Sequence, residues 1–226
     1  MSMLTEENSS GLVAEAQEAI NKYLMPGLGA RNSIEHYSAT SDMYEVYLTA
    51  FDYNGPRTTA ATLADLYPPE TREAVKILDV AAGTGLVGEE LLALGFRQMD
   101  ALDPSEGMLS KARERNLQQA FNEAIGDTRL PIDDGAYDAL VVCGGMGENQ
   151  IPCSAIQEMI RVVKPGGYIV NVTRVEHLDK CSDYVGRLQP LMRRLEDEGK
   201  WKSVSSSTFP NFLRGKEGLV LVHQVL

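Results

Sequence analysis

Two rhythms of apolar residues alternate along this chain. Short runs in which nearly every residue is apolar or β-branched are separated by longer stretches in which apolar residues return every three or four positions. The first spacing belongs to buried strands and the second to amphipathic helices. Residues 11–25 carry Leu12, Ala16, Ala19 and Tyr23 at helical steps before Pro26-Gly27. A second helix is predicted over Ser33 to Phe51, with Tyr37, Tyr44 and Tyr47 on one face as either core packing or a lid. A third starts at Pro56 and runs to Tyr67, before Pro68-Pro69.

From Val75 the pattern changes to strand and helix in turn. Val75–Val80 is a strand, followed by the glycine turn Gly83-Thr84-Gly85 and a helix bearing Leu86, Leu91 and Leu94, closed by Gly95. Gln98–Asp103 is a strand, Ser105 to about Gln119 a helix, and a third short strand ends in Ile125-Gly126-Asp127. Tyr137–Cys143 is apolar almost throughout, the mark of a strand covered on both faces. Ser154 with Gln157 predicts a capping box for a helix with Ile156, Met159, Ile160 and Val163 on its inner face, and Lys164-Pro165-Gly166-Gly167 turns into the strand Tyr168–Thr173. A helix carrying Leu188, Leu191 and Leu195 follows, with Pro190 at its first turn or at a kink. Strands near residues 201–209 and 219–226 complete the chain, and Ser203–Thr208 reads as a surface turn or strand edge. Strands alternating with helices predict an α/β fold, a largely parallel sheet with helices on both faces.

In such sheets ligands gather beyond the carboxyl ends of the strands. Gly83–Gly85, Asp103, Asp127 and Cys143–Gly145 share that edge. The run from Gly83 to Gly88 spells G-x-G-x-x-G, which also suits a dinucleotide and by itself admits a nicotinamide oxidoreductase. Asp103, 18 residues beyond Gly85, sits near the ~20-residue interval at which an acid takes ribose hydroxyls. Asp127 can accept from an exocyclic amine and Met108 can lie against a base. Asp79, placed before the glycines, would repel a pyrophosphate and attract an ammonium or sulfonium. That charge favours S-adenosylmethionine.

Composition narrows the partners. With 21 basic against 32 acidic residues the formal charge is −11, and no basic stripe is present, so nucleic acid is excluded as a partner. The polar start MSMLTEENSS lacks a signal pattern and no apolar run approaches the ~20 residues of a membrane span, so no membrane partner and a soluble, cytoplasmic protein are expected. Three dispersed cysteines and three dispersed histidines fit neither a disulfide framework nor a metal site.

Asp79-Val80-Ala81-Ala82-Gly83-Thr84-Gly85, Leu102-Asp103-Pro104-Ser105 with Met108-Leu109, Gly126-Asp127 and Lys164-Pro165-Gly166-Gly167 resemble, in order and spacing, the successive motifs of class I S-adenosylmethionine-dependent methyltransferases. Over roughly residues 34–226, the Asp79 region, the segment ending GENQIPC and Glu198–Trp201 resemble more narrowly a methyltransferase-like branch of that family. The resemblance implies a Rossmann-like, doubly wound, mostly parallel seven-stranded sheet with an antiparallel C-terminal strand, in one compact unit: residues 1–54 a helical lid, residues 55–226 the methyltransferase domain. It implies that Ala81, Gly83, Thr84 and Gly85 hold the aminoacyl end of the cofactor, with Asp79 ordering that loop or receiving the ammonium. Asp103 and Pro104 would meet the ribose, Asp127 and Thr128 the adenine edge, Met108 its face, the Cys143 carbonyl the ammonium, and Tyr44 of the lid the cofactor. The lid pattern Y-D-x-W-A-x-x-Y-D stands here as Tyr37-Ser38-Ala39-Thr40-Ser41-Asp42-Met43-Tyr44-Glu45, without its tryptophan and first aspartate.

The expected activity is methyl transfer to a small-molecule or protein acceptor by a monomer or weak dimer, yielding S-adenosylhomocysteine. The alternative is a cofactor-binding module without turnover. Displacement at a sulfonium needs positioning more than a nucleophilic side chain, so a general base is optional; the candidates are Tyr37, Glu148 and His177.

Overall fold

The structure, a computed structural model, describes residues 6–23, 25–115 and 118–226, with the backbone alone at 6–10, 12 and 23. The expected inner positions Leu12 and Tyr23 therefore lie, as side chains, outside the described residues, as do Leu24, Asn116 and Leu117 altogether. Among the described residues there are seven strands: β1 (Lys76–Val80), β2 (Gln98–Leu102), β3 (Gln119–Phe121), β4 (Tyr137–Cys143), β5 (Val163–Arg174), β6 (Trp201–Leu213) and β7 (Lys216–Val225). They form one sheet in the order β3-β2-β1-β4-β5-β7-β6. The first five are parallel, and β7 runs antiparallel to both of its neighbours. The chain winds outward from β1 to β3 and returns to β4, so the switch point lies between β1 and β4.

The continuous apolar runs are explained by helices on both faces. Leu78, Val80, Leu140 and Val142 point one way, onto Ile156 and Met159 of α7 (Ala155–Val162) and Leu188 and Leu195 of α9 (Leu188–Asp197). Ile77, Ala139 and Val141 point the other way, onto Leu63 of α4 (Gly55–Leu66) and Leu91 of α5 (Leu86–Ala93). Period-two alternation has thus become burial on both sides. Ile20 of α1 (Glu6–Tyr23) and Leu48 of α3 (Ser41–Thr49) extend the second layer. At the far edge, Lys202 to Thr208 on β6 are exposed, and Pro210 sits in that same strand, where a missing N–H breaks no interior ladder.

Several expectations need correction. The single helix expected over 33–51 is two, α2 (Ala30–Ala39) and α3, broken at Thr40, whose hydroxyl and N–H both bond the His36 carbonyl. The break separates the tyrosines: Tyr37 and Tyr44 meet edge to face at 6.0 Å, while Tyr47 is buried and donates to Glu15 of α1 at 3.0 Å. α6 (Glu106–Ala112) is shorter than expected, because β3 occupies Gln119–Phe121, ahead of Ile125-Gly126-Asp127, which is an irregular loop. Ser154 forms no capping bond, its backbone having already turned helical. Lys164–Gly167 is an irregular start of β5 and does not stand apart as a turn. The short helix α8 (His177–Lys180) was not anticipated. Pro56 and Pro190 both fall in the first turns of their helices. Among the described residues no helix is long and apolar enough to cross a membrane, and no cluster of His, Cys, Asp or Glu could hold a metal ion.

Candidate functional site

After β1 the chain turns through Ala81, Gly83 and Gly85, whose φ angles of +55°, +57° and +88° lie in the left-handed region. Glycine adopts it freely, whereas Ala81 is held there by its surroundings. Asp103, at the end of β2, fixes this turn. Its Oδ2 accepts from the Gly83 N–H at 2.9 Å and its Oδ1 from the Ser105 N–H at 2.9 Å, so one buried carboxylate joins the glycine loop to the entry of α6. Burial pushes that carboxyl upward and the two N–H groups oppose the shift. Arg115 anchors the other side of the loop, donating to the Thr84 carbonyl at 2.7 Å and to Glu45 of α3 at 2.9 Å.

A cavity of about 330 Å³ opens over these strand ends. Val80, Ala81 and Gly83 form its floor, with Asp103, Pro104 and Met108 on one side and Cys143, Gly144 and Gly145 on the other. Ala30, Ser33, Ile34 and Tyr37 of α2 form a roof, and Tyr44 of α3 joins them. Four hydrogen bonds pin the roof down. Gln150 donates to Tyr37 Oη at 2.9 Å, Asn149 bonds the Gly29 N–H at 2.9 Å and the Met25 carbonyl at 2.8 Å, and the Ser38 and Ser105 hydroxyls meet at 2.7 Å. At the last of these, α2 comes so close that a Cβ on Gly107 would lie 2.6 Å from the Ser38 carbonyl. Gly107→Ala is accordingly expected to force α2 away from α6 and to cost about 1–3 kcal/mol of stability, read as a lower midpoint in thermal unfolding.

Beneath the loop lies Asp79, 2 % exposed, with both carboxylate oxygens buried and, among the described residues, without a hydrogen-bond partner. Desolvation, with a smaller contribution from Asp103, pushes its carboxyl up to about 8. A buried acid left unpaired is costly, and a cationic group above the loop would relieve it. Neighbouring Cys143 is a neutral thiol pushed up to about 12 by burial, its Sγ 3.2 Å from Tyr53 Oη. The chemistry of the residues present fits S-adenosylmethionine: an orphaned acid beneath the loop, itself outside the cavity lining, a second buried acid on the cavity wall, an apolar wall at Met108 and a glycine floor.

Of the residues expected at the site, the structure brings Ala81, Gly83, Asp103, Pro104, Met108, Asp127, Cys143, Tyr44 and Tyr37 to the cavity wall. Thr84 lines a small side hollow with Tyr44 and Tyr53. Gly85 does not line the cavity; a Cβ there would press on the Ala112 backbone at 3.3 Å, so its bareness serves the packing of α6. Thr128 is exposed and stands off the wall. Glu148 is occupied by Ser182, accepting from its N–H at 2.9 Å and pairing with its hydroxyl at 2.7 Å, and lies outside these cavities. His177 lines a separate inner hollow of about 50 Å³, which shares Tyr37, Tyr44, Gly144 and Gln150 with the main cavity. Sequence reasoning missed Arg115, Asn149 and Gln150. The last two lie in the segment ending GENQIPC, so a motif marked their neighbourhood without marking their task.

A family model described as a methyltransferase domain matches residues 77–167. Human methyltransferase-like protein 27 is 34 % identical over 172 residues, covering 76 % of this chain and 69 % of that protein. The demethylmenaquinone methyltransferase of Mycolicibacterium gilvum is 40 % identical over 107 residues, 44 % of this chain and 45 % of its own length. Among solved structures, a TehB-like S-adenosylmethionine-dependent methyltransferase from Corynebacterium glutamicum superposes with a TM-score of 0.61 at 16 % identity, covering 85 % of this chain and 99 % of that one. An S-adenosylmethionine-dependent methyltransferase from Aquifex aeolicus gives 0.52 at 18 % identity, covering 75 % and 98 %.

Proposed function

The chain belongs to the S-adenosylmethionine-dependent methyltransferases, and on that premise we propose that it transfers the methyl group to a small-molecule acceptor enclosed beneath α2 and α3. The observation that carries this reading is the roofed cavity with the inner hollow bordering it at Tyr37 and Gln150, a space suited to a small molecule rather than to a protein side chain on a surface. Bound S-adenosylmethionine would supply an electrophilic methyl carbon for an acceptor lone pair, with its cationic sulfur as the leaving group that keeps the bonding electrons.

The chain's own residues position and enclose. Asp103 takes the ribose hydroxyls while keeping the glycine loop in place, and Asp79 receives the ammonium. Met108 and Asp127 receive the adenine. Residues 1–54 act as the lid, with Tyr37 and Tyr44 excluding water from the reacting centre, which strengthens every charge interaction inside. His177 is the candidate general base that lines the inner hollow. Its Nδ1 lies 2.9 Å from the Met146 carbonyl and so carries the proton, leaving the Nε2 lone pair as an acceptor, and burial lowers its pKa and holds the ring neutral.

Incubation with methyl-labelled S-adenosylmethionine and a cell extract, fractionated afterwards by size, tests this. Label is expected in the small-molecule fraction and absent without the protein. Label confined to the protein fraction would contradict the proposed acceptor class. Cofactor binding with no label in any fraction would identify a module without turnover.

A further inference from the structure

Arg174, the last residue of β5, is 6 % exposed and lines the inner hollow. Its guanidinium makes no hydrogen bond among the described residues. Its charge partner among the described residues is Glu176, at 3.6 Å, and that carboxylate is already held by Lys180 at 3.0 Å and Lys216 at 3.1 Å. Desolvation lowers the Arg174 pKa, and nearby Arg214 adds repulsion. An arginine buried for structural reasons uses its fork of five donors on carbonyls or carboxylates. This one makes none of those hydrogen bonds among the described residues and lines a hollow, in a chain whose formal charge is −11. The remaining walls are mostly apolar, with Tyr53 and Phe212 edge to face at 5.1 Å, Leu48 and Leu213 beside them, His177 as a neutral imidazole, and Tyr37 at the boundary with the main cavity. A hollow of about 50 Å³ has room for a carboxylate and its adjoining carbon, with the rest of the molecule directed past Tyr37.

We propose that the methyl acceptor is a small organic acid whose carboxylate is clamped by Arg174 in this inner hollow. The assignment rests on the methyltransferase reading above and adds the acceptor's chemical class. A planar carboxylate meets the guanidinium fork in two parallel hydrogen bonds, which turns the acceptor's other end toward the main cavity. The anion also neutralises a buried charge for which the fold supplies only a shared partner.

The test uses the full chain saturated with S-adenosylhomocysteine and measures, by calorimetry and thermal shift, the binding of acetate, butyrate and benzoate, each beside its amide, with inorganic phosphate as a further anion. The carboxylates are expected to bind at least about tenfold more tightly than the amides. Arg174→Met is expected to abolish that preference, leave S-adenosylhomocysteine affinity within about twofold, and raise the melting temperature of the unliganded protein, since an apolar side chain replaces a buried charge that has only a shared partner and no hydrogen bond among the described residues. Arg174→Lys, which keeps the charge and loses the fork, is expected to weaken carboxylate binding at least about tenfold. Equal binding of acids and amides, a preference for phosphate, or a carboxylate preference that survives in Arg174→Met would overturn the proposal. A fall in melting temperature in Arg174→Met would show a structural clamp instead and overturn it as well. If the wild-type chain fails to bind S-adenosylhomocysteine, the parent reading fails with it; if that ligand binds and carboxylates do not, the acceptor assignment alone fails.

Discussion

Asp103→Ala is expected to weaken S-adenosylhomocysteine binding roughly hundredfold and to lower the melting temperature of the unliganded chain. Two effects combine. Hydrogen bonds from a sugar's hydroxyls to a carboxylate are worth about 1.5–3 kcal/mol each, so losing the pair accounts for at least about two decades of affinity. The same oxygens hold the Gly83 and Ser105 N–H groups at 2.9 Å, and leaving those donors unsatisfied loosens both the glycine turn and the entry of α6. Asp103→Asn retains one carbonyl acceptor and is expected to recover part of the stability but little of the affinity. Calorimetry and thermal unfolding on the three proteins separate the two contributions; unchanged affinity in Asp103→Ala would remove this residue from the site.

Asp79→Asn is expected to act in opposite directions on stability and binding. The sign follows from the raised carboxyl. Between the ordinary carboxylate value near 4 and about 8, the folded chain keeps a proton on Asp79 that the unfolded chain has released. Unliganded stability therefore falls as pH rises through that window, and asparagine removes the loss. The variant should melt higher than the wild type above about pH 8, with the gap narrowing toward acid. A cationic ligand selects the ionised form, so cofactor affinity in the wild type should rise with pH up to about 8. At neutral pH, binding should release about one proton, seen by calorimetry in two buffers of different ionisation enthalpy. Asp79→Asn should release none and bind at least about thirtyfold more weakly, the loss of about 2 kcal/mol expected when a buried charge loses its partner. Wild-type binding without proton release would mean that Asp79 does not meet the ammonium.

The strand ends were the most legible part of this chain, because burial on both faces leaves little choice of residue. Tyr137–Cys143 could be only a central strand, and the acids at Asp79 and Asp103 stand out against such runs. The glycine turn was legible for a related reason: positive φ angles at Gly83 and Gly85 restrict the side chain that can follow a strand. Periodicity failed where tertiary contacts decided. Residues 33–51 carry a helical pattern throughout, yet Thr40 ends one helix with its own hydroxyl and sends Tyr47 to α1 rather than to the cavity. β3 was misplaced because it has three residues and gains its identity only by pairing with β2. Arg174 was invisible because nothing local distinguishes a terminal strand arginine in solvent from one turned into a hollow; only the burial of its neighbours does. Gly107 likewise has no local reason to be glycine until α2 lies across it.

The most direct measurement is a calorimetric titration of the full chain with S-adenosylhomocysteine, run beside one with NADH under the same conditions. One S-adenosylhomocysteine per chain, competed away by S-adenosylmethionine, with no heat from NADH, is the predicted result. No binding of S-adenosylhomocysteine, or NADH binding of equal strength, would contradict the account.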